Sequence, residues 1–368
     1  MRVVEDRIVY KDPRYYAAFT CVERCADGSL LTAFRCAPRE PEIHHFHSQS
    51  KAVAVRSADG GRTWGEPVEI FPDWDLAQQD PHITRLPDGR ILAMAFTWQA
   101  HPKCERSTLT DVYMELPEDK DVIMRCAGVI TAESSDNGKS WTFLGKIRPS
   151  GAPRQLWACA AMHSRVAVLP DGTLLLPMRV EDGSGYYTYL VRSRDGGHSW
   201  EYVTEIIRDT SPAHHHYYDE AYIQRLADGR LVTELRCYDE GGLMEYCISA
   251  DGGETWTGPV KSTVWGFPQT SARLSDGRIF LCYGYRREPF GVRARLVKAD
   301  FSDVDTAEEL VIYGLTQNRV RNFPVPGDLG YPSAAELEDG RVLVTYYCYD
   351  LNDRTSHIRA AVVDLTSE

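Results

Sequence analysis

Glu220 and Arg236 stand eight residues before and eight residues after Asp228, the first residue of an Asp-Gly turn. The apolar runs on either side, Ile223 to Leu226 and Leu231 to Leu235, are strand-like, and Asp-Gly favours a tight hairpin because Gly accepts φ > 0 without steric cost. A carboxylate and a guanidinium should therefore face each other at one sheet edge. The same turn recurs at Asp27-Gly28, Asp88-Gly89, Asp171-Gly172, Asp276-Gly277 and Asp339-Gly340. Superposing the six hairpins puts Phe19, Asp80, His163, Glu220, Pro268 and Tyr331 at the minus-eight offset. Arg35, Phe96, Arg179, Arg236, Gly284 and Tyr347 fall at plus-eight. Three arginines at one equivalent offset predict an anion site. Tyr331 brings a phenol and Glu220 a carboxylate to the same ring. Asp80 and His163 add titratable groups to the ring, and His44, His45 and His47 offer imidazoles suited to acid/base work near neutral pH. Trp98 and Tyr218, beside the same rim, complete the expected binding surface.

Six copies of one hairpin in the same apolar setting are an internal repeat, the first thing such spacing signals. A second motif, Ser-x-Asp-x-Gly-x-Ser/Thr-Trp, follows four of the hairpins, at Ser57 to Trp64, Ser134 to Trp141, Ser193 to Trp200 and Ser249 to Trp256. Its Asp and Gly suit a compact turn, and its Trp can pack between neighbouring sheets. The longest interval, between Asp88 and Asp171, holds an insertion at about 104–121, suited to a lid or an oligomer contact.

These eight-residue motifs are Asp boxes, and with them the chain resembles the sialidase superfamily of bacterial-neuraminidase-repeat proteins over nearly its whole length. The resemblance implies an all-β, six-bladed β-propeller spanning 1–368 as one domain, closed by pairing an N-terminal strand near Arg7 to Tyr10 with the last blade around His357 to Val363. It also implies roles: Tyr331 as the catalytic tyrosine, Glu220 as its hydrogen-bonding partner, Arg236 as the second carboxylate-clamping arginine, and Arg286 (or Arg287) as the third. Two positions depart from the family. Ala18 falls where the first clamp arginine belongs, leaving Arg14 or Arg35 to substitute, and Lys51 falls where the general acid/base Asp belongs, leaving a histidine to replace it. The implied activity is a retaining exo-glycosidase of sialidase type acting on a small carboxylated sugar or oligosaccharide. A uronic-acid lyase using Tyr and His, and a non-catalytic carbohydrate-binding propeller, are the alternatives. Tyrosine-dependent sialidases stand outside the paired-carboxylate rule for glycosidases.

Composition limits the other classes. A net charge of −12 argues against a nucleic-acid binder, which normally shows basic clusters. A local set of arginines can still outweigh that global sign for a small anion. No apolar run approaches a membrane span, and Met1 to Arg7 lacks the apolar core of a signal peptide, so the expectation is a cytoplasmic protein with ten cysteines as mostly buried thiols. No cofactor is implied. No metal-ligand spacing is present either, because the consecutive His214, His215 and His216 would point to alternate faces of a strand. A homo-oligomer is compatible with the insertion.

Overall fold

In all six Asp-Gly hairpins the amide two residues before the Asp donates to the carbonyl two residues after it at 2.8 Å, from Cys25 to Ser29 in the first and from Leu337 to Arg341 in the last. Each hairpin starts one antiparallel sheet, and the six sheets form a six-bladed β-propeller. The computed structural model describes residues 1–368 except 40–46, 110–113, 116–121, 159, 182–185, 210–217, 238–240, 317–326 and 367–368. The innermost strands of blades one to six are Tyr15–Arg24, Ala77–Arg85, Ala167–Val168, Asp219–Arg225, Gln269–Arg273 and Gly330–Glu336. Neighbouring members of this set pack on one another around the axis, Tyr15–Arg24 lying against both Ala77–Arg85 and Gly330–Glu336. The outermost strand of blade six is Arg2–Lys11, which pairs with Ser356–Asp364 so that Arg7 faces Ala360. The ring closes by joining the two ends of the chain, as the sequence predicts.

The Asp boxes explain how one blade is held to the next. In the first, Ser57 Oγ accepts from the Gly61 amide at 2.9 Å, and Asp59 takes the Thr63 amide at 2.9 Å and the Thr63 hydroxyl at 2.6 Å. The same bonds recur around Asp136, Asp195 and Asp251. Their turn glycines abut a leucine of the preceding blade: a Cβ on Gly61 would lie 2.5 Å from Leu343, and one on Gly253 would lie 2.6 Å from Leu190. The turn is a peg set against the preceding sheet, and φ of +86° and +96° at these two residues independently favours Gly.

Blade two carries the insertion. Its second and third strands, Ile91–Pro102 and Val122–Ser134, are longer than their counterparts, and Met114–Glu115 adds a short fifth strand. A 3-10 turn, Lys103–Thr108, leads into it, and much of the remainder, including Glu118, Asp119 and Asp121, lies outside the described residues. The described cysteines are all free thiols, buried except for Cys104.

Candidate functional site

Four inner strands bulge at one place. Register slips between Ala18 and Cys21, Gln79 and His82, Asp219 and Tyr222, and Gly330 and Ser333. Each slip contains a minus-eight residue with positive φ: Phe19 at 58°, Asp80 at 45°, Glu220 at 46° and Tyr331 at 47°. A bulge re-aims a side chain that a regular pleat would send elsewhere, and non-glycine residues at such φ are strained by about 1–3 kcal/mol each. The four bulges turn these side chains inward at one end of the propeller axis.

There Tyr331 donates its hydroxyl hydrogen to Glu220 Oε1, while Arg236 donates to Glu220 Oε2 and to the Tyr331 oxygen at 3.3 Å. Asp219, not Glu220, is the register partner of Arg236, and the bulge lets Glu220 reach the guanidinium. Burial opposes ionisation of Glu220, but Arg236, His163 and the tyrosine hydrogen bond together overcome it and hold the carboxyl below its usual range. Burial, followed by the Glu220 charge, drives the Tyr331 phenol well above its ordinary value. The resting proton therefore sits on Tyr331.

Asp80 and His163 come from the same ring. His163 Nδ1 lies 3.5 Å from Asp80 Oδ2, and its ring meets Tyr331 edge-on at 5.1 Å between centroids. His82 supports this pair, its ring 4.6 Å from that of His163 and its Nδ1 at 3.1 Å from the Asp80 carbonyl. Burial, with the Glu220 charge added, raises the Asp80 carboxyl, against the pull of His163. Two carboxyl groups pushed in opposite directions within one cluster make an acid and a base. Asp80, His163 and Glu220 also bring three potential metal-ligand atoms within 4.8 Å of one another. Both Glu220 oxygens already accept hydrogen bonds and a cation there would adjoin Arg236, so the group is better suited to moving protons.

The arginines occupy three different situations. Arg286 stacks over Tyr331 and Phe267 with its Cζ 5.4 and 5.5 Å from the ring centres, and its Nε donates to the Leu329 carbonyl at 3.1 Å. Arg179 pairs with Asp219 at 2.7 Å. Arg35 is 0% exposed, and none of its three guanidinium nitrogens has a hydrogen-bond partner among the described residues. Its Cζ sits over Tyr16 and Phe19 at 5.4 and 5.7 Å. An unpaired buried charge is costly, so Arg35 is poised for an anion.

Other expected residues lie elsewhere. Trp98 is buried in the apolar core of blades two and three, near Phe96. Tyr218 turns into the core around blade four, where its hydroxyl donates to Glu245 at 3.1 Å. The sequence reading places both at the rim, but their apolar bulk is drawn into blade packing. Arg14 is exposed and bound to Asp12. The described His47 contact is local, Nδ1 accepting from the Gln49 amide at 3.0 Å. His44, His45 and His214 to His216 lie outside the described residues. One participant had no signal in the hairpin offsets: Asp328 accepts from Tyr16 at 2.9 Å, Tyr347 at 2.5 Å and Tyr349 at 2.8 Å. It fixes the aromatic wall on which Arg35 rests.

The chain is similar to known proteins along the same lines. A "Sialidase" of Micromonospora viridifaciens is 24% identical over 336 residues, covering 87% of this chain and 48% of that one. The chain spans half or less of the length of the curated relatives it matches. A Dyadobacter fermentans protein of unknown function, known from a crystal structure, is 29% identical with a TM-score of 0.87, and 99% of each chain is covered. The intramolecular trans-sialidase of Ruminococcus gnavus shares the fold at 17% identity and a TM-score of 0.63, over 99% of this chain and 98% of that one. The BNR repeat-like domain family matches residues 118–344, more than half of the chain. With that match, the six blades and their Asp boxes, the protein belongs to the BNR repeat-like domain family and is a divergent member of the sialidase-like superfamily.

Proposed function

We propose that the protein is a retaining exo-glycosidase of sialidase type that acts on sialic acid or another carboxylated sugar. The observation that carries this reading is the Tyr331–Glu220–Arg236 hydrogen-bonded group beside the unpartnered Arg35. Arg35, Arg236 and Arg286 receive the substrate carboxylate. The Tyr331 oxygen attacks the anomeric carbon as its proton passes to Glu220. The bond to the leaving oxygen breaks, and that oxygen takes its proton from Asp80, whose carboxyl burial raises above its ordinary range. Water then attacks the anomeric carbon of the tyrosyl glycoside with Asp80 as base, aided by His163, the bond to the Tyr331 oxygen breaks, and that oxygen recovers its proton from Glu220. This arrangement would replace the acid/base Asp that Lys51 displaces.

The closeness of His163 to Tyr331 favours one second reading, β-elimination on a uronic acid, in which the two side chains abstract and return a proton while the arginines neutralise the carboxylate. Release of a fluorogenic aglycone from a sialoside by wild type and by Tyr331→Phe tests the first reading. Absorbance of an unsaturated uronate product, which hydrolysis cannot generate, tests the second. Inactivity on both panels, with carboxylated sugar still bound, would leave a binding propeller.

A further inference from the structure

The inner strands run from the bulged end of the axis to the Asp-Gly turns, so their last residues crown the opposite end. Five residues separate the minus-eight from the minus-three offset, about 16 Å of extended strand. The minus-three residues of blades one to six are Arg24, Arg85, Val168, Arg225, Arg273 and Glu336. Four arginines from four blades thus surround the far mouth, and they line a cavity of about 570 Å³ into which Tyr222 and Arg165 also face.

The charges there do not balance. Arg24 is paired with Glu338, and Arg165 is bound to the Val22 and Ala334 carbonyls and lies 3.5 Å from Glu23. Among the described residues the Arg85 side chain reaches only the Cys25 carbonyl, at 3.4 Å. Neither Arg225 nor Arg273 has a side-chain hydrogen bond or ion pair among the described residues. The two carboxylates lining the cavity are already engaged: Glu23 accepts from the Arg24 and Arg85 amides, and Glu336 takes the Ser275 amide and hydroxyl at 2.7 Å. In a chain of net charge −12, three cations with no carboxylate partner among the described residues converge on one concave surface. Guanidinium groups on rigid strand ends match phosphate and carboxylate oxygens in geometry as well as sign.

We propose that this far mouth is a second binding site, for a small polyanion carrying two or more phosphate or carboxylate groups, held by Arg85, Arg225 and Arg273. It does not rest on the reaction assigned to the Tyr331 end. An anion there relieves repulsion between the arginines and stabilises the folded chain increasingly as its concentration rises above Kd.

Thermal unfolding and calorimetric titration of the full chain at low salt, with inorganic pyrophosphate and separately with citrate as probes, test this. Saturable binding with a rise in Tm is expected for wild type, retained in Arg236→Met and weakened at least about tenfold in the Arg225→Gln/Arg273→Gln double variant. The Arg225→Lys/Arg273→Lys variant should fall between them. The relative affinity of the two probes tells phosphate from carboxylate preference. The absence of saturable binding by either probe, binding unchanged in the double glutamine variant, or binding lost in Arg236→Met would each overturn the proposal.

Discussion

The two ends of the propeller axis are built from the same six strands and use opposite means. At the Tyr331 end the strands bulge, four non-glycine residues take positive φ, and the ionisable side chains are buried and cross-linked. At the Asp-Gly end the turns share one regular hydrogen-bond pattern, and the arginines stand at the surface on unstrained strand ends. Strain and burial collect where proton movements must be controlled, because desolvation amplifies every interaction of a charge. Regularity collects where the chain must only turn and present charge. The difference teaches that one repeat can build two kinds of surface, a buried cross-linked cluster at its irregular end and an exposed array of arginines at its regular end.

The largest expected effect isolates the strained end. Tyr331→Phe should lower turnover of a carboxylated glycoside by on the order of 10⁴-fold, with an unchanged circular dichroism spectrum. A variant that retained activity would sever the link between bulge and chemistry. The next lies in the blade interfaces that hold both ends: Gly253→Ala should destabilise the fold by about 3 kcal/mol, since its Cβ meets Leu190 at 2.6 Å and φ is +96°. Denaturant unfolding would measure it, and activity per folded molecule should not change.

Arg35→Gln separates function from stability. Substrate affinity should fall by roughly 10²-fold, equivalent to about 3 kcal/mol, while Tm holds or rises because an unpaired buried charge is gone. A fall in Tm with unchanged KM would show that Arg35 only braces the aromatic wall.

The smallest effect is a slope. Glu234 lies between the two ends, opposite Tyr222, at 1% exposure, and burial pushes its carboxyl up to about 8. A folded-state value raised above the unfolded one gives stability that is full below the unfolded pKa and is lost as pH rises through the folded value. Stability should therefore decline from about pH 4.5 to about pH 8, by at most about 1.4 kcal/mol per pH unit. Glu234→Gln should flatten that decline in urea titrations across the same window. A wild-type curve already flat there would mean that the carboxylate is solvated.

The repeat was fully legible in the sequence. Asp-Gly turns between apolar runs specify hairpins, Asp boxes mark the connections between blades, and equal offsets put Glu220, Arg236, Tyr331, Asp80, His163 and Arg35 at one end of the axis. That inference is local, since strand rise and turn geometry fix which residues share an edge. Trp98 and Tyr218 show its limit: nothing in spacing tells a rim aromatic from a core aromatic, because burial depends on which neighbouring blade arrives beside it.

The sequence by itself determined the six hairpins and which side chains share their minus-eight and plus-eight ends, because short-range turn chemistry carries that information, whereas the six blades and their closure through the chain ends followed from the resemblance that the Asp boxes carry. Only the tertiary structure decided that Arg179 is taken by Asp219 while Arg35 is left unpartnered, that Asp80 joins His163, and that Asp328 anchors three tyrosines. These pairings join different blades or loops outside the hairpin offsets. Partners distant in sequence meet only when the ring closes and burial forces each polar group to find a neighbour or do without one.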